Sequence, residues 1–171
     1  DRFRARYPEI KDPRLELAEA TADETLSDFK KMEAAAASAA AAAERQGRPF
    51  VLVRAPRQVD RTPEVVRLGP SLGRRVHLRS RLENRTLEPG EVLILDSYGD
   101  LAGTYAAGSL AFVGGTLVPI GGHNVSEPLH AGCPVLYGPH FSNVRKIVEI
   151  LEADGAGRCV APPEVLIAAI V

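Results

Sequence analysis

Apolar residues gather in short continuous runs: Phe50–Val53, Val92–Leu95, Leu110–Val113 and Val135–Tyr137. Runs of this length bounded by turn residues predict strands buried on both faces. Helical stretches separate them, at Glu64–Leu68, Leu101–Ala107 and Glu127–Ala131. After Gly138-Pro139-His140, Ser142 or Asn143 is placed to cap a helix that carries Val144, Ile147, Val148 and Leu151 on one face. Arg75–Leu78 and Arg158–Ala161 predict two further strands, and Pro162-Pro163 open another helix. Strands alternating with helices predict a parallel sheet covered on both faces, an α/β fold of Rossmann-like class.

The start of the chain reads differently. Asp1–Pro13 is charged and punctuated by proline, whereas Leu15–Gln46 favours helix throughout and Ala34–Ala43 is almost pure alanine. Alanine is the best helix former, so a long helix ending near Gly47 is predicted, as a spacer or packing element. A disordered alanine-rich insert is the alternative. The predicted organisation is therefore 1–47 as a charged start and alanine-rich helix, and 48–171 as the α/β domain. The abrupt start and an ending at Ile-Ala-Ala-Ile-Val read as a fragment of a longer protein.

Composition narrows the function classes. A net charge of −1 gives no broad footprint for nucleic acid and no electrostatic grip on acidic membranes. An apolar content of 45% is enough for a core. No apolar run reaches the roughly 18 residues needed to span a bilayer. Cys133 and Cys159 lie in or beside apolar runs without metal-ligand spacing, and read as buried free thiols. No metal or cofactor is expected.

Candidate chemistry concentrates between Phe112 and Glu127, where Gly114, Gly115, Gly121 and Gly122 surround a strand–helix junction. Glycines let the backbone bend or approach a ligand closely, and a helix start offers free N–H groups to an anion such as phosphate. Asn124 followed by Glu127 also matches a capping box, although Pro128 would cost a bond in a helix begun at Asn124. A helix begun at Ser126 avoids that loss and leaves Asn124 and Glu127 freer for a ligand. Arg57, after Pro56 at the end of the first apolar run, is placed either as a phosphate-binding guanidinium or as a surface arginine. Asp96-Ser97-Tyr98-Gly99-Asp100 closes the second run; Asp96 or Ser97 caps the next helix, or the loop reads a base edge. His77 reads as a strand-surface histidine, and His123, His130 and His140 as structural.

The run Phe112-Val-Gly-Gly-(x)5-Gly-Gly-His-Asn-x-x-Glu-Pro128, followed by Pro134-Val-Leu-Tyr-Gly-Pro-His140, resembles the carboxyl-terminal domain of the 3-deoxy-D-manno-octulosonic acid (Kdo) transferases. The match is dense from Asp96 to His140, weaker from Phe50 to Arg57, and covers about half the chain. The resemblance implies one half of a GT-B glycosyltransferase, an inverting, metal-independent enzyme that moves Kdo from CMP-Kdo to lipid A precursor in lipopolysaccharide assembly. It implies contacts to CMP from Pro56 and Arg57, from Tyr98, Gly99 and Asp100, and from Gly121, Gly122, Asn124, Val125, Ser126 and Glu127. The family's catalytic acid and acceptor site belong to its amino-terminal domain, so no catalytic residue is expected in this chain and the chain alone is expected to be inactive. The implied setting is the cytoplasmic face of the inner membrane for a full-length protein, with this fragment soluble.

Three departures from the family pattern stand out. Pro56-Arg57-Gln58 replaces Pro-Arg-His, and Asn124-Val125-Ser126-Glu127 replaces Asn-Pro-Leu-Glu. The domain's first strand, with its Ser-Thr-His-x-Gly-Glu signature, is read as missing and replaced by the alanine-rich helix. Two rival readings remain open: another GT-B enzyme that uses a nucleotide sugar, such as an epimerase or a lipid-linked glycosyltransferase, and a non-catalytic remnant that serves as a packing or interaction module.

Overall fold

A computed structural model describes residues 15–20, 38–39, 41–48, 50–56, 59–68, 73–83, 85–117 and 121–160. Seven parallel strands form one sheet in the order β3-β4-β2-β1-β5-β6-β7. They are β1 (Leu15–Ala20), β2 (Leu52–Pro56), β3 (Val76–Leu78), β4 (Val92–Ile94), β5 (Gly108–Val113), β6 (Val135–Tyr137) and β7 (Gly157–Cys159). Among the described residues, the connections carry α1 (Thr62–Leu68), α2 (Leu101–Ala107), α3 (Ser126–His130) and α4 (Arg145–Ala153), besides the helical residues at 38–39 and 41–45 between β1 and β2. The Rossmann-like parallel architecture expected from the apolar runs is present.

The strand β1 corrects the helix expected from Leu15 onward, and with it the reading that the domain's first strand is missing. Leu15–Ala20 lies in the middle of the sheet, with Glu16 opposite Leu52 on one side and Leu17 opposite Ala111 on the other. Helix propensity separates ordinary residues by at most about 0.7 kcal/mol each, a weak force against backbone pairing on both sides of the strand. Leu-Glu-Leu also alternates with the two-residue period of a strand, a signal that the good helix formers around it masked. The sheet thus draws its central strand from within the segment read as lying outside the α/β domain.

The alanine-rich helix is described only at its end. Residues 38–39 and 41–45 are helical, and Gly47 adopts φ +69° where the helix stops. Residues 34–37 and 40, the proposed Arg57 and Gln58, and the helix expected after Pro162 lie outside the described residues. Ala39 and Ala43 are buried, and Ala43 packs with Phe50, Leu52 and Val92. Small side chains here serve packing.

Alternation along the buried strands divides the core. Val51, Val53 and Ala55 join Leu93, Leu95 and Tyr105 of α2, whereas Phe50, Leu52 and Val92 form a separate cluster. Beside them Ile94 meets Val65 of α1. Val113, Val135 and Tyr137 meet Val148 and Leu151 of α4, the face predicted for that helix. Neither Ser142 nor Asn143 caps α4; both lie in a 3-10 turn at Ser142–Val144, and no side-chain cap bond forms at its start. Both cysteines are free, Cys133 buried and Cys159 half-buried. Burial pushes the Cys133 thiol up to about 11 and raises Cys159 as well, with Glu152 adding to the latter.

Candidate functional site

In an open parallel sheet, ligands sit off the carboxyl ends of strands, near the point where strand order reverses. Here the chain moves from β1 outward through β2, then crosses to β5 on the other side of β1. A cavity of about 260 Å³ opens at that rim. Its wall takes Pro56 from the end of β2, Leu95, Ser97, Tyr98 and Gly99 from the loop after β4, and Glu127 from α3. Three chain segments separated in sequence therefore converge, and each was singled out from the sequence. The volume lies just under the roughly 300–1,000 Å³ usual for small-molecule pockets.

Tyr98 is 81% exposed at the mouth of the cavity. A large aromatic ring left in solvent beside a concave surface is a platform for a flat ligand. Gly99 follows it with φ +96°, a conformation that glycine adopts without strain. Neither flanking aspartate caps the next helix through its side chain. Asp96 accepts hydrogen bonds from the Ser80 N–H, at 2.8 Å, and from the Ser80 hydroxyl, so it braces the turn after β3. The Asp100 carboxylate accepts from the Ser97 hydroxyl at 2.7 Å and lies 3.8 Å from Arg79 Nε. Helix α2 begins without a side-chain cap; instead the Asp100 carbonyl accepts from the Thr104 N–H and hydroxyl.

At the third wall, α3 starts at Ser126, as the Pro128 argument required. Asn124 and Glu127 are nevertheless not free of each other. Asn124 Nδ2 donates to Glu127 Oε1 at 3.1 Å, and Asn124 Oδ1 accepts from the Ser126 N–H at 3.1 Å and from its hydroxyl. The Ser126 N–H is thereby satisfied within the chain, and Pro128 has none to offer. Both Asn124 and Glu127 face solvent, so a ligand polar group can displace or extend their bond. Val125 is fully buried with Val113 and Tyr137, so its side chain belongs to the core and only its backbone faces the loop.

The glycine pair makes the backbone bend expected of it at this junction. Gly121 and Gly122 have φ +97° and +85°, but the space above them is filled from within. A Cβ at Gly121 would overlap the Asn143 carboxamide, and one at Gly122 would sit 3.0 Å from Thr116 Cγ2. At both positions the absence of a Cβ admits neighbouring chain. Neither lines the cavity, and nor do Asp100, Asn124, Val125 or Ser126.

Sequence reasoning did not single out Val59, Leu95 and Leu101, which supply apolar wall. Leu95 ends a recognised apolar run, and that position was the available signal. Nor did it find Thr116, whose buried hydroxyl ties two loops together; a lone threonine after two glycines carries no such mark. Among the described residues no group of three or more His, Cys, Asp or Glu side chains could hold a metal, and no helix is long and apolar enough to cross a membrane.

No protein-family model matches the chain. Among curated proteins, it is 48% identical over 68 residues to the 3-deoxy-D-manno-octulosonic acid transferase of Aquifex aeolicus (strain VF5), 40% of this chain and 19% of that protein. It is 40% identical over 113 residues to the enzyme of the same name from Chlamydia pneumoniae, 66% of this chain and 25% of that protein. The chain therefore spans a quarter or less of the length of these relatives. Among solved structures, the C-terminal CMP-Kdo binding domain of WaaA from Acinetobacter baumannii matches with a TM-score of 0.79 at 22% identity, covering 99% of this chain and 83% of that one. That likeness shows a shared fold from one end of the sheet to the other.

Proposed function

We propose that this chain, which is 40–48% identical to 3-deoxy-D-manno-octulosonic acid transferases over 68–113 residues, is the donor-binding part of such an enzyme, holding CMP-Kdo at the carboxyl rim of its sheet. The observation that carries the reading is the convergence of Pro56, Tyr98, Gly99 and Glu127 on one cavity, since these come from the three segments that match the family. Tyr98 offers its ring to the cytosine, a contact that in single-strand binding contributes about 1–3 kcal/mol per base. Glu127, with Asn124 beside it, accepts hydrogen bonds from the vicinal hydroxyls of ribose. Arg57, which follows Pro56 directly, supplies charge-assisted bonds to the single phosphate.

The role of this part is to bind the donor and to stabilise the phosphate of departing CMP. Transfer to lipid A precursor, on this reading, needs an amino-terminal domain and takes place at the cytoplasmic face of the inner membrane. The donor-binding unit includes β1 as well as the later strands. The non-catalytic remnant loses its main support, because the strand it required to be missing is present.

Calorimetric titration of this chain with CMP, CDP and UMP, beside Arg57→Ala and Glu127→Ala, tests the proposal. Selective binding of CMP, weakened about tenfold or more in both variants, is the expected result. Preference for a nucleoside diphosphate would transfer the chain to another GT-B reaction, and a folded chain blind to all three at millimolar ligand would return it to the remnant.

A further inference from the structure

The loop after β5 and the loop after β6 are joined through one fully buried side chain, Thr116. Its hydroxyl donates to the Val113 carbonyl at 2.7 Å and accepts from the Gly138 N–H at 2.7 Å. Its carbonyl accepts from the His140 N–H at 2.9 Å. Gly138 is glycine for a steric reason: a Cβ there would overlap the Thr116 carbonyl. The second loop then returns the contact, since the Asn143 N–H donates to the Gly121 carbonyl at 3.0 Å and the Asn143 carboxamide covers Gly121. Gly122 lies against both partners, as its Cβ would sit 3.0 Å from Thr116 Cγ2 and 3.2 Å from the His140 carbonyl oxygen. The segment that leads to Glu127 is thus clamped at Gly121–Gly122 and again at Val125, which is fully buried.

We propose that Thr116 is a positioning residue for the candidate site: it fixes the loop after β6 against the loop after β5, and that joint holds Glu127 at the cavity. Thr116 lines no part of the cavity and acts through the 138–143 loop. A buried N–H that loses its only acceptor opens its loop, so the two loops stand or open together. The inference rests on the nucleotide-site reading only for its consequence on ligand affinity; the coupling of the loops belongs to the chain itself.

Amide hydrogen exchange by NMR on this chain, as wild type, Thr116→Val and Thr116→Ser, decides it. Valine keeps the shape and removes the hydroxyl, whereas serine keeps the hydroxyl. The expected result is exchange about tenfold faster or more in Thr116→Val at Gly138, His140 and Asn143 and also at Val125 and Ser126, with Val53 and Leu93 unchanged. Thr116→Ser should return these rates to within about twofold of wild type, because its hydroxyl remakes both bonds. Unchanged exchange at Val125 and Ser126 in Thr116→Val overturns the proposal. So does a uniform acceleration that includes Val53 and Leu93, or a serine variant as fast as valine. Should Thr116→Val fail to fold, wild type in mild denaturant supplies the answer: Gly138, His140 and Asn143 must open as one unit with Val125 and Ser126, and separate opening overturns it. A CMP titration of the same samples separates the two claims. Wild type that ignores CMP defeats the nucleotide reading and leaves the exchange result standing, while CMP bound equally well by wild type and Thr116→Val defeats the positioning role.

Discussion

The two ends of the sheet hold polar groups in opposite conditions. Below β4, at the amino ends of the strands, Glu91 is buried and its carboxylate is surrounded by Arg75 at 3.2 Å, Arg85 at 2.6 Å and His77 at 3.3 Å. The Glu88 N–H adds a fourth partner at 3.0 Å, and Arg74 bonds Glu44 and the Gly90 carbonyl nearby. At the carboxyl rim, Tyr98 and Glu127 face solvent at a cavity, and Glu127 accepts from the exposed Asn124 at 3.1 Å. Charge that satisfies itself holds a fold together; polar groups held in place but left facing water are available to a ligand. The difference explains why the more charged end is the less promising site.

Removing Glu91 should therefore have the largest effect on stability and none on nucleotide affinity. Glu91→Gln leaves two arginines and a histidine around a neutral amide, and should cost about 1.5–3 kcal/mol in urea unfolding. A loss below about 0.5 kcal/mol would show that the cluster contributes nothing and would erase the contrast. Gly138→Ala comes next at about 1–3 kcal/mol, because the new Cβ meets a backbone carbonyl that cannot rotate away. Its loss should be accompanied by weaker CMP binding, which the Glu91 variant should not show.

Acid sharpens the same contrast. Burial by itself would raise the Glu91 carboxyl, but the Glu88 N–H, then His77 and Arg85, outweigh it and hold the group below its ordinary 4.5. A carboxylate with a lowered folded value adds stability above its unfolded value, and that stability is lost as pH falls through the folded one. Stability should thus fall with pH below about 4.5, and the fall should be shallower in Glu91→Gln; parallel curves would remove Glu91 from the account. The smallest stability effect is expected for Tyr98→Ala, within about 0.5 kcal/mol, since the ring is 81% exposed. Its CMP affinity should nonetheless fall about 5- to 100-fold, and a stable variant with unchanged affinity would deny the ring its role.

Much of this was legible in the chain because buried parallel strands write themselves as apolar runs. Val92–Leu95 and Val135–Tyr137 read as strands directly, and Leu101–Ala107 read as a helix at its observed bounds. Leu15–Ala20 did not, because Leu, Glu and Ala favour helix locally and only pairing on both sides makes a strand of them. At the rim, the loops carrying Tyr98 and Glu127 were visible from motif and position. Their internal bonds were not: nothing in the spacing of Asp96 and Ser80 predicts a bond across two strands. The glycine pair was legible as a bend, but the close approach of Asn143 to Gly121 was not, since a positive φ looks the same in sequence whatever fills the space.

The most direct test of the contrast is an amide NMR titration of this chain with CMP. Shifts confined to Leu95–Leu101 and Asn124–Glu127, with Arg75, Arg85 and Glu91 silent, are the predicted result. Shifts centred on the Glu91 cluster, or none in either region at millimolar CMP, would contradict it.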